Sequence, residues 1–254
     1  MARGRLFIGT SGWVYKEWAE RFYPPDVKQR DWLPYFAARY PCVEINSTFY
    51  RLPAAKTVAR WAEAVPKEFR YACKMWRMVS HYKKLHHVDD AVETFIGLIK
   101  PLRPHAGMVL LQLPPSLKAD AARLEDFLKL YKKTARGWPL AVEFRHASWY
   151  DGAITTLLDK HKASRVVHDM PGSACDEPNS KAPFVYVRYH GAGEKYGGNY
   201  PAPRLRRDAK RLRAWLDGGR DVYVFFNNDK GGHALDNAAT LREATDKIRA
   251  PRKT

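Results

Sequence analysis

Cysteine is scarce: three in 254 residues, Cys42, Cys73 and Cys175, far apart and without a CxxC pair. That excludes a disulfide scaffold and a cysteine-rich zinc site, and a reducing, cytoplasmic setting is expected. Long apolar runs are missing. None approaches the roughly 18–20 residues of a spanning helix, so no membrane association is expected. The opening MARGRLFIGTSGW has basic residues but lacks the apolar core of a secretory leader. No Pro-, Gly- or Ser-rich linker and no internal repeat divides the chain, so residues 1–254 are expected to form a single domain. Acidic residues are outnumbered, 27 Asp and Glu against 44 Lys and Arg, for a formal net charge of +17. Such a surplus attracts polyanions.

The densest basic run is Arg204, Arg206, Arg207, Lys210, Arg211 and Arg213. Leu205, Ala209, Leu212 and Leu216 recur there at helical spacing, which predicts an amphipathic helix with a basic outer face. That face is either a solvated surface or a phosphate-tracking patch. Zinc-finger spacing, an RNP motif and a basic zipper are all absent.

Eight short β-branched or apolar segments recur along the chain: 6–9, 42–46, 70–75, 108–112, 140–144, 165–168, 184–189 and 222–226. Helical periodicity fills the gaps at 31–40, 57–65, 89–99, 119–133, 153–161, 204–216 and 234–248. Only the connection between strands six and seven, 170–178, reads as irregular loop. Strand alternating with helix predicts a parallel sheet. Eight such units in this length predict an α/β fold, a (β/α)₈ TIM-barrel-like domain. An open doubly wound sheet is the alternative, but Gly9-Thr-Ser-Gly12 is too short for a dinucleotide fingerprint. No other organic-cofactor motif is present, so the cofactor is unknown.

Strand parity locates a site. In strand two, Val43 and Ile45 share one face, while Glu44 and Asn46 share the other. The apolar pair belongs against helices, so the polar pair faces the axis near the C-terminal mouth, where this fold carries its chemistry. The same reasoning nominates Lys74, Gln112, Glu143 with Arg145 and the adjoining His146, His168 followed by Asp169, Arg188 with His190, and Asn227, Asn228 and Asp229. A structural ion pair or a surface loop is the alternative for each. The loops after strands seven and eight, 190–200 and 227–234, are glycine-rich and suit an anion. Arg188, Lys195 and Lys230 would supply charge; turn-making is the alternative role of the glycines. Trp13, Tyr15, Trp18, Phe22, Tyr23, Trp32, Phe49, Tyr50, Trp76, Trp149 and Tyr150 cluster after strand ends. They form either a stacking rim for a ligand, with Trp13 and Tyr50 as contacts, or a small loop core.

Several segments resemble the YecE-like family, domain of unknown function 72. They are Gly9-Thr-Ser-Gly-Trp-Val-Tyr-Lys-Glu-Trp18, Val43-Glu-Ile-Asn-Ser-Thr-Phe-Tyr-Arg-Leu-Pro53, Leu110-Leu-Gln-Leu-Pro-Pro-Ser116, Val142-Glu-Phe-Arg-His-Ala-Ser-Trp149 and Phe226-Asn-Asn-Asp-Lys-Gly-Gly-His-Ala-Leu-Asp-Asn-Ala238. The resemblance runs from about Leu6 to Ile248. In Ser80-His-Tyr-Lys-Lys-Leu85 the family more often has Thr before the His, so a hydroxyl is retained. The resemblance implies a (β/α)₈-like barrel and no particular reaction. Glu44, Asn46, Glu143, Arg145, His146 and Asn227 fall within its motifs.

Three functions are expected, in this order. The first is an enzyme, a hydrolase or lyase, acting on a small phosphorylated or otherwise anionic substrate. Glu143 or Glu44 would be acid or base, positioned by Arg145 and Lys74, with His168 or His190 as second proton carrier. The second is a nucleic-acid binder or metal-assisted phosphodiesterase. Glu44, Glu143, His146, His168, Asp169 and His190 include ligand types for a divalent metal, but no HxxxH, HxH or HExxH spacing occurs, so no metal ligand is assigned. The third is a glycoside hydrolase using Glu44 and Glu143. Oligomeric state is not legible in the sequence.

Overall fold

The computed structural model describes residues 2–179, 181–193 and 195–248. Nine parallel strands form one sheet: β1 (Leu6–Thr10), β2 (Cys42–Ile45), β3 (Arg70–Lys74), β4 (Ala106–Gln112), β5 (Leu140–Glu143), β6 (Ser164–Arg165), β7 (Val167–His168), β8 (Phe184–Tyr189) and β9 (Asp221–Phe226). Eight strands were expected. The ninth arises because the sixth predicted strand divides at Val166. The strand row is β6-β5-β4-β3-β2-β1-β9-β8-β7. Its two ends, β6 and β7, are thus separated by Val166 alone, whose N–H donates to Val142 O on β5 at 3.0 Å. The result is a nearly closed TIM-barrel-like α/β fold.

The helices are α1 (Trp32–Ala37), α2 (Ser47–Tyr50), α3 (Ala55–Glu63), α4 (Asp89–Ile99), α5 (Ala121–Thr134), α6 (Gly152–Lys160), α7 (Ala202–Asp217) and α8 (His233–Asp246). The longer ones start and stop close to their predicted bounds because each keeps an apolar stripe on the sheet. In α7, Leu205, Ala209, Leu212 and Leu216 are buried, as the spacing predicts. α2 and a single π-helical turn at Met78–Tyr82 are too short to show periodicity. The described residues between β7 and β8 hold no helix, as expected; there His168 and Cys175 exchange two backbone hydrogen bonds of 2.9 and 2.8 Å.

Two separate apolar layers follow from the two-residue period of the strands. The outer layer packs Val43, Ile45 and their counterparts against the helices. The inner layer fills the lumen with Phe7, Cys42, Ala72, Met108, Leu110, Ala141, Val166, Phe184, Tyr186, Tyr223 and Phe225. Gly9 lets β1 approach β2, since a Cβ there would lie 2.1 Å from the Cys42 carbonyl oxygen. All three cysteines are free and buried. No described helix is long and apolar enough to cross a membrane.

Candidate active site at the barrel mouth

One step along each strand beyond the apolar lumen, the inward side chains become polar. Glu44 follows Cys42, Lys74 follows Ala72, Gln112 follows Leu110, Glu143 follows Ala141, His168 follows Val166 and Arg188 follows Tyr186. All six are buried. Register aligns them: Gln112 opposes Glu143, and His168 opposes Arg188. The predicted convergence at the mouth is therefore present in space.

Arg188 organises this layer. Its Nη2 donates to Glu44 Oε1 at 2.7 Å, and its Nη1 donates to Glu143 Oε2 at 2.6 Å. Glu44 accepts two further hydrogen bonds, from Ser11 Oγ at 2.7 Å and Tyr186 Oη at 2.5 Å. Glu143 also accepts from Arg145 through Nε and Nη2. Burial alone would push the Glu143 carboxyl up, but Arg188 and Arg145 outweigh it and hold the group well below the usual carboxylate range. Burial likewise disfavours the Arg188 cation, yet Glu143 and Glu44 keep its pKa above the ordinary value. Two carboxylates and two guanidiniums thus neutralise one another.

The histidines sit beside this network. His190 Nε2 lies 3.2 Å from Arg145 Nη2 and 3.3 Å from Arg188 Nη1. Two guanidinium donors converging on one ring nitrogen require a neutral, accepting imidazole. Burial and the Arg188 charge push the His190 pKa down to about 3. His168 is lowered too, chiefly by burial. Its Nε2 lies 3.1 Å from both Phe144 O and Tyr150 Oη.

Glu143, His168 and His190 present three ligand atoms within 4.8 Å of one another, a set that could in principle hold a metal ion. The Arg145 guanidinium bonds two of the three and Arg188 takes the remaining carboxylate oxygen. The set as arranged fits a guanidinium, not a divalent cation.

Lys74 differs from its neighbours. Its side chain is buried at the end of β3, and Nζ lies 4.3 Å from the centroid of the Phe49 ring. It forms no ion pair or hydrogen bond through Nζ among the described residues. Burial and the Arg188 charge lower its pKa to about 7, against the pull of Glu143 and Glu44. Thr48 Oγ1, on α2, donates to the Lys74 carbonyl at 2.7 Å and so ties the Phe49 turn to β3. His81 lies edge-on against the same Phe49 ring, 4.8 Å between centroids, with Nδ1 2.9 Å from Ser80 Oγ. Burial and Lys74 lower its pKa to about 4. His81 sits on the π-helical turn, a local geometry frequent at functional sites. Sequence parity missed it because it lies off the strands; the Ser80-His81 pair was the available signal.

Asp229 is also displaced toward neutrality. It is buried after β9, with Oδ1 lacking a hydrogen-bond partner. Burial, and to a lesser degree the Glu44 charge, raises its pKa to about 8. Nearby, a cavity of about 930 Å³ is lined by Ser11, Trp13, Tyr15, Asn46 and Trp61 among others. It shares Ser11 with the Glu44 network. Asn46 Oδ1 is buried and also unpartnered.

The remaining predicted residues divide. Trp13 lines the cavity, edge-on to Trp61 at 5.4 Å. Gln112 donates to Leu113 O at 3.0 Å. Asn227 Nδ2 lies 3.4 Å from His190 Nδ1. Tyr50 is 62% exposed. His146 accepts from the Ser148 N–H at 3.1 Å and caps a short turn. Asn228 donates to Gly198 O and Asn237 Oδ1, both at 2.9 Å, bracing the two glycine-rich loops against each other. Lys195 is exposed beside Tyr196, and Lys230 is exposed; Glu194 lies outside the described residues. Before α8, Arg21 bonds Gly231 O and Asp236, so a carboxylate of the protein already sits in the first helical turn. Arg188, the cation expected to serve these loops, instead points its guanidinium at Glu44 and Glu143. The expected loop phosphate site thus loses its buried charge. The first-loop aromatics are a core: Trp18 and Tyr23 are 0% and 1% exposed, and Tyr23 stacks on Trp32 at 4.3 Å.

The family profile described as "Protein of unknown function DUF72" matches residues 7–254. The chain is 26% identical over 275 residues to UPF0759 protein YunF of Bacillus subtilis, covering 95% of each. It is 34% identical over 183 residues to UPF0759 protein YecE of Escherichia coli O157:H7, covering 70% of this chain and 64% of that one. A solved DUF72 family protein of Thermotoga maritima superposes with a TM-score of 0.81 at 27% identity, covering 96% of this chain and all of the other. One of Enterococcus faecalis, at 20% identity and a TM-score of 0.78, shares the fold.

Proposed function

The chain belongs to the DUF72 family of proteins of unknown function, and from that premise we propose that it is an enzyme acting on a small anionic substrate at the C-terminal mouth of the barrel. Lys74 is the proton-transferring group. The observation that carries this reading is the Lys74 amine: buried at a strand end, without a carboxylate partner among the described residues, and lowered to about 7 by burial and Arg188. A base tuned to the working pH is what acid/base catalysis requires, and burial is the ordinary means of tuning a lysine.

The roles of the carboxylates shift accordingly. Glu44 and Glu143 hold Arg188 and set the field around Lys74. A glycoside hydrolase needs one carboxyl that carries a proton, and Glu143 is held ionised by Arg188 and Arg145. His190, depressed to about 3, is a neutral acceptor. Arg145, at the half-buried edge of the network, and protonated Lys74 are the cations available to a substrate anion. Much of the α7 basic face is spent internally: Arg204 pairs with Asp169, Arg211 with Glu177 and Arg213 with Asp217. That supports a small anion over a nucleic acid.

The test is a thermal-shift screen of small carboxylates and phosphates at pH 7, on the wild type and on Lys74→Met. Stabilisation by a subset of anions, lost in the variant, is expected. Equal stabilisation of both proteins would remove Lys74 from the site.

A further inference from the structure

The unpaired Lys74 amine, the internally neutralised charges around it and the aromatic wall of Phe49 lead us to propose that Lys74 forms a covalent imine with a small carbonyl compound that itself carries an anionic group. The inference rests on the reading of the mouth as an enzyme site, and it names the substrate class.

Charge balance at the mouth selects that class. Arg188 and Arg145 are matched by Glu44 and Glu143 in direct ion pairs. Among the described residues of this network no formal charge is left to receive a new cation. The iminium formed on Nζ is a cation in a buried position for as long as it keeps its N–H proton, and an unpaired buried charge is costly. A carboxylate or phosphate on the substrate itself supplies the missing counter-charge. A neutral ketone would leave the iminium uncompensated. The Phe49 ring at 4.3 Å from Nζ adds cation–π attraction but no net charge.

The step balances without an oxidant or reductant. The neutral Nζ lone pair attacks the carbonyl carbon, a C–N bond forms, and the carbonyl π pair moves to oxygen. The nitrogen loses a proton and the oxygen gains one, giving a carbinolamine. Protonation of its hydroxyl allows the C–O bond to break; water leaves, and the nitrogen lone pair closes the C=N⁺ bond. Overall, carbonyl, amine and one proton give iminium and water. His81, neutral and packed on the same Phe49 ring, is suited to take the proton from nitrogen and return it to oxygen. Glu44 and Glu143 are too heavily hydrogen-bonded to serve.

The experiment is reductive trapping on the full chain at pH 7 with sodium cyanoborohydride. The probes are pyruvate and dihydroxyacetone phosphate, with acetone as uncharged control, read by intact mass and peptide mapping. At least one anionic probe should yield a single adduct on Lys74, at least tenfold faster than any exposed lysine, with acetone at least tenfold slower. Lys74→Met and Lys74→Gln should lose that adduct. In parallel, lactate and glycerol 3-phosphate, anions with no carbonyl, are tested by thermal shift. If they stabilise the wild type but not Lys74→Met while no adduct forms on Lys74, the imine is overturned and the acid/base reading stands. If neither binding nor trapping occurs, both are overturned. Equal trapping by acetone would refute the charge argument.

Discussion

Lys74 Nζ lies 4.3 Å from the centre of the Phe49 ring and engages no carboxylate among the described residues, although Glu44 and Glu143 are both close enough to act on its charge. The reason is competition: each carboxylate is already held by guanidinium donors. The groups that face Lys74 electrostatically are Arg188, Glu143, Glu44 and Arg145, with His81 across the Phe49 ring.

Stability should therefore depend on pH through Lys74. An unfolded lysine keeps its proton to about 10.5, whereas the folded amine releases it near 7. Between these values the unfolded chain binds more protons, so this group makes stability rise with pH. Below about pH 7 its burial cost is fully present. Lys74→Met should raise the melting temperature at pH 6 by at least about 3 °C and by progressively less toward pH 10. A pH-independent difference between the two melting curves would contradict the assignment.

Asp229 acts with the opposite slope. Its folded carboxyl keeps a proton to about pH 8, while the unfolded one loses it near 3.8. Between those values the folded chain binds more protons, so this group lowers stability as pH rises. Asp229→Asn should be close to neutral at pH 4 and stabilising at pH 8 by thermal melting. Greater loss at pH 8 than at pH 4 would show that the ionised form is the one the fold uses.

Removing Arg188 should expose how much of the layer is held by one side chain. Arg188→Met leaves two buried carboxylates without their shared cation, a change worth about 3–5 kcal/mol. Denaturant unfolding should show that loss, and adding Glu44→Gln should recover part of it. A small loss, with anion binding abolished, would mean that Arg188 faces substrate after all.

The first-loop aromatics give a separate check. Tyr23 is buried, stacks on Trp32 and donates to Trp13 O at 2.6 Å. Tyr23→Ala should cost about 3–5 kcal/mol, as for other large aromatic truncations in a core. If the melting temperature hardly moves, these rings are a ligand rim.

The two-residue strand period made Glu44, Lys74, Gln112, Glu143, His168 and Arg188 readable as one layer, because a barrel strand can send only alternate side chains inward. What each one pairs with was not readable. Arg188 and Glu44 are 144 residues apart, and nothing local distinguishes a cation that binds a ligand from one that binds a carboxylate. Glycine-rich loops suggested an anion seat, but the turn before α8 is already bonded by Arg21 and Asp236. His81 was not nominated as a site residue, although its segment was recognised, because a single π-helical turn leaves no periodic trace. The division of strand six at Val166 was hidden for the same reason: five residues that change partners midway look like one continuous strand.

Competitive labelling with trace acetic anhydride, read peptide by peptide by mass spectrometry from pH 5 to 10, bears most directly on the protonation of Lys74. A reactivity profile with its midpoint near pH 7 at Lys74, beside exposed lysines still rising at pH 10, is the expected result. A Lys74 midpoint close to that of the exposed lysines would contradict the account.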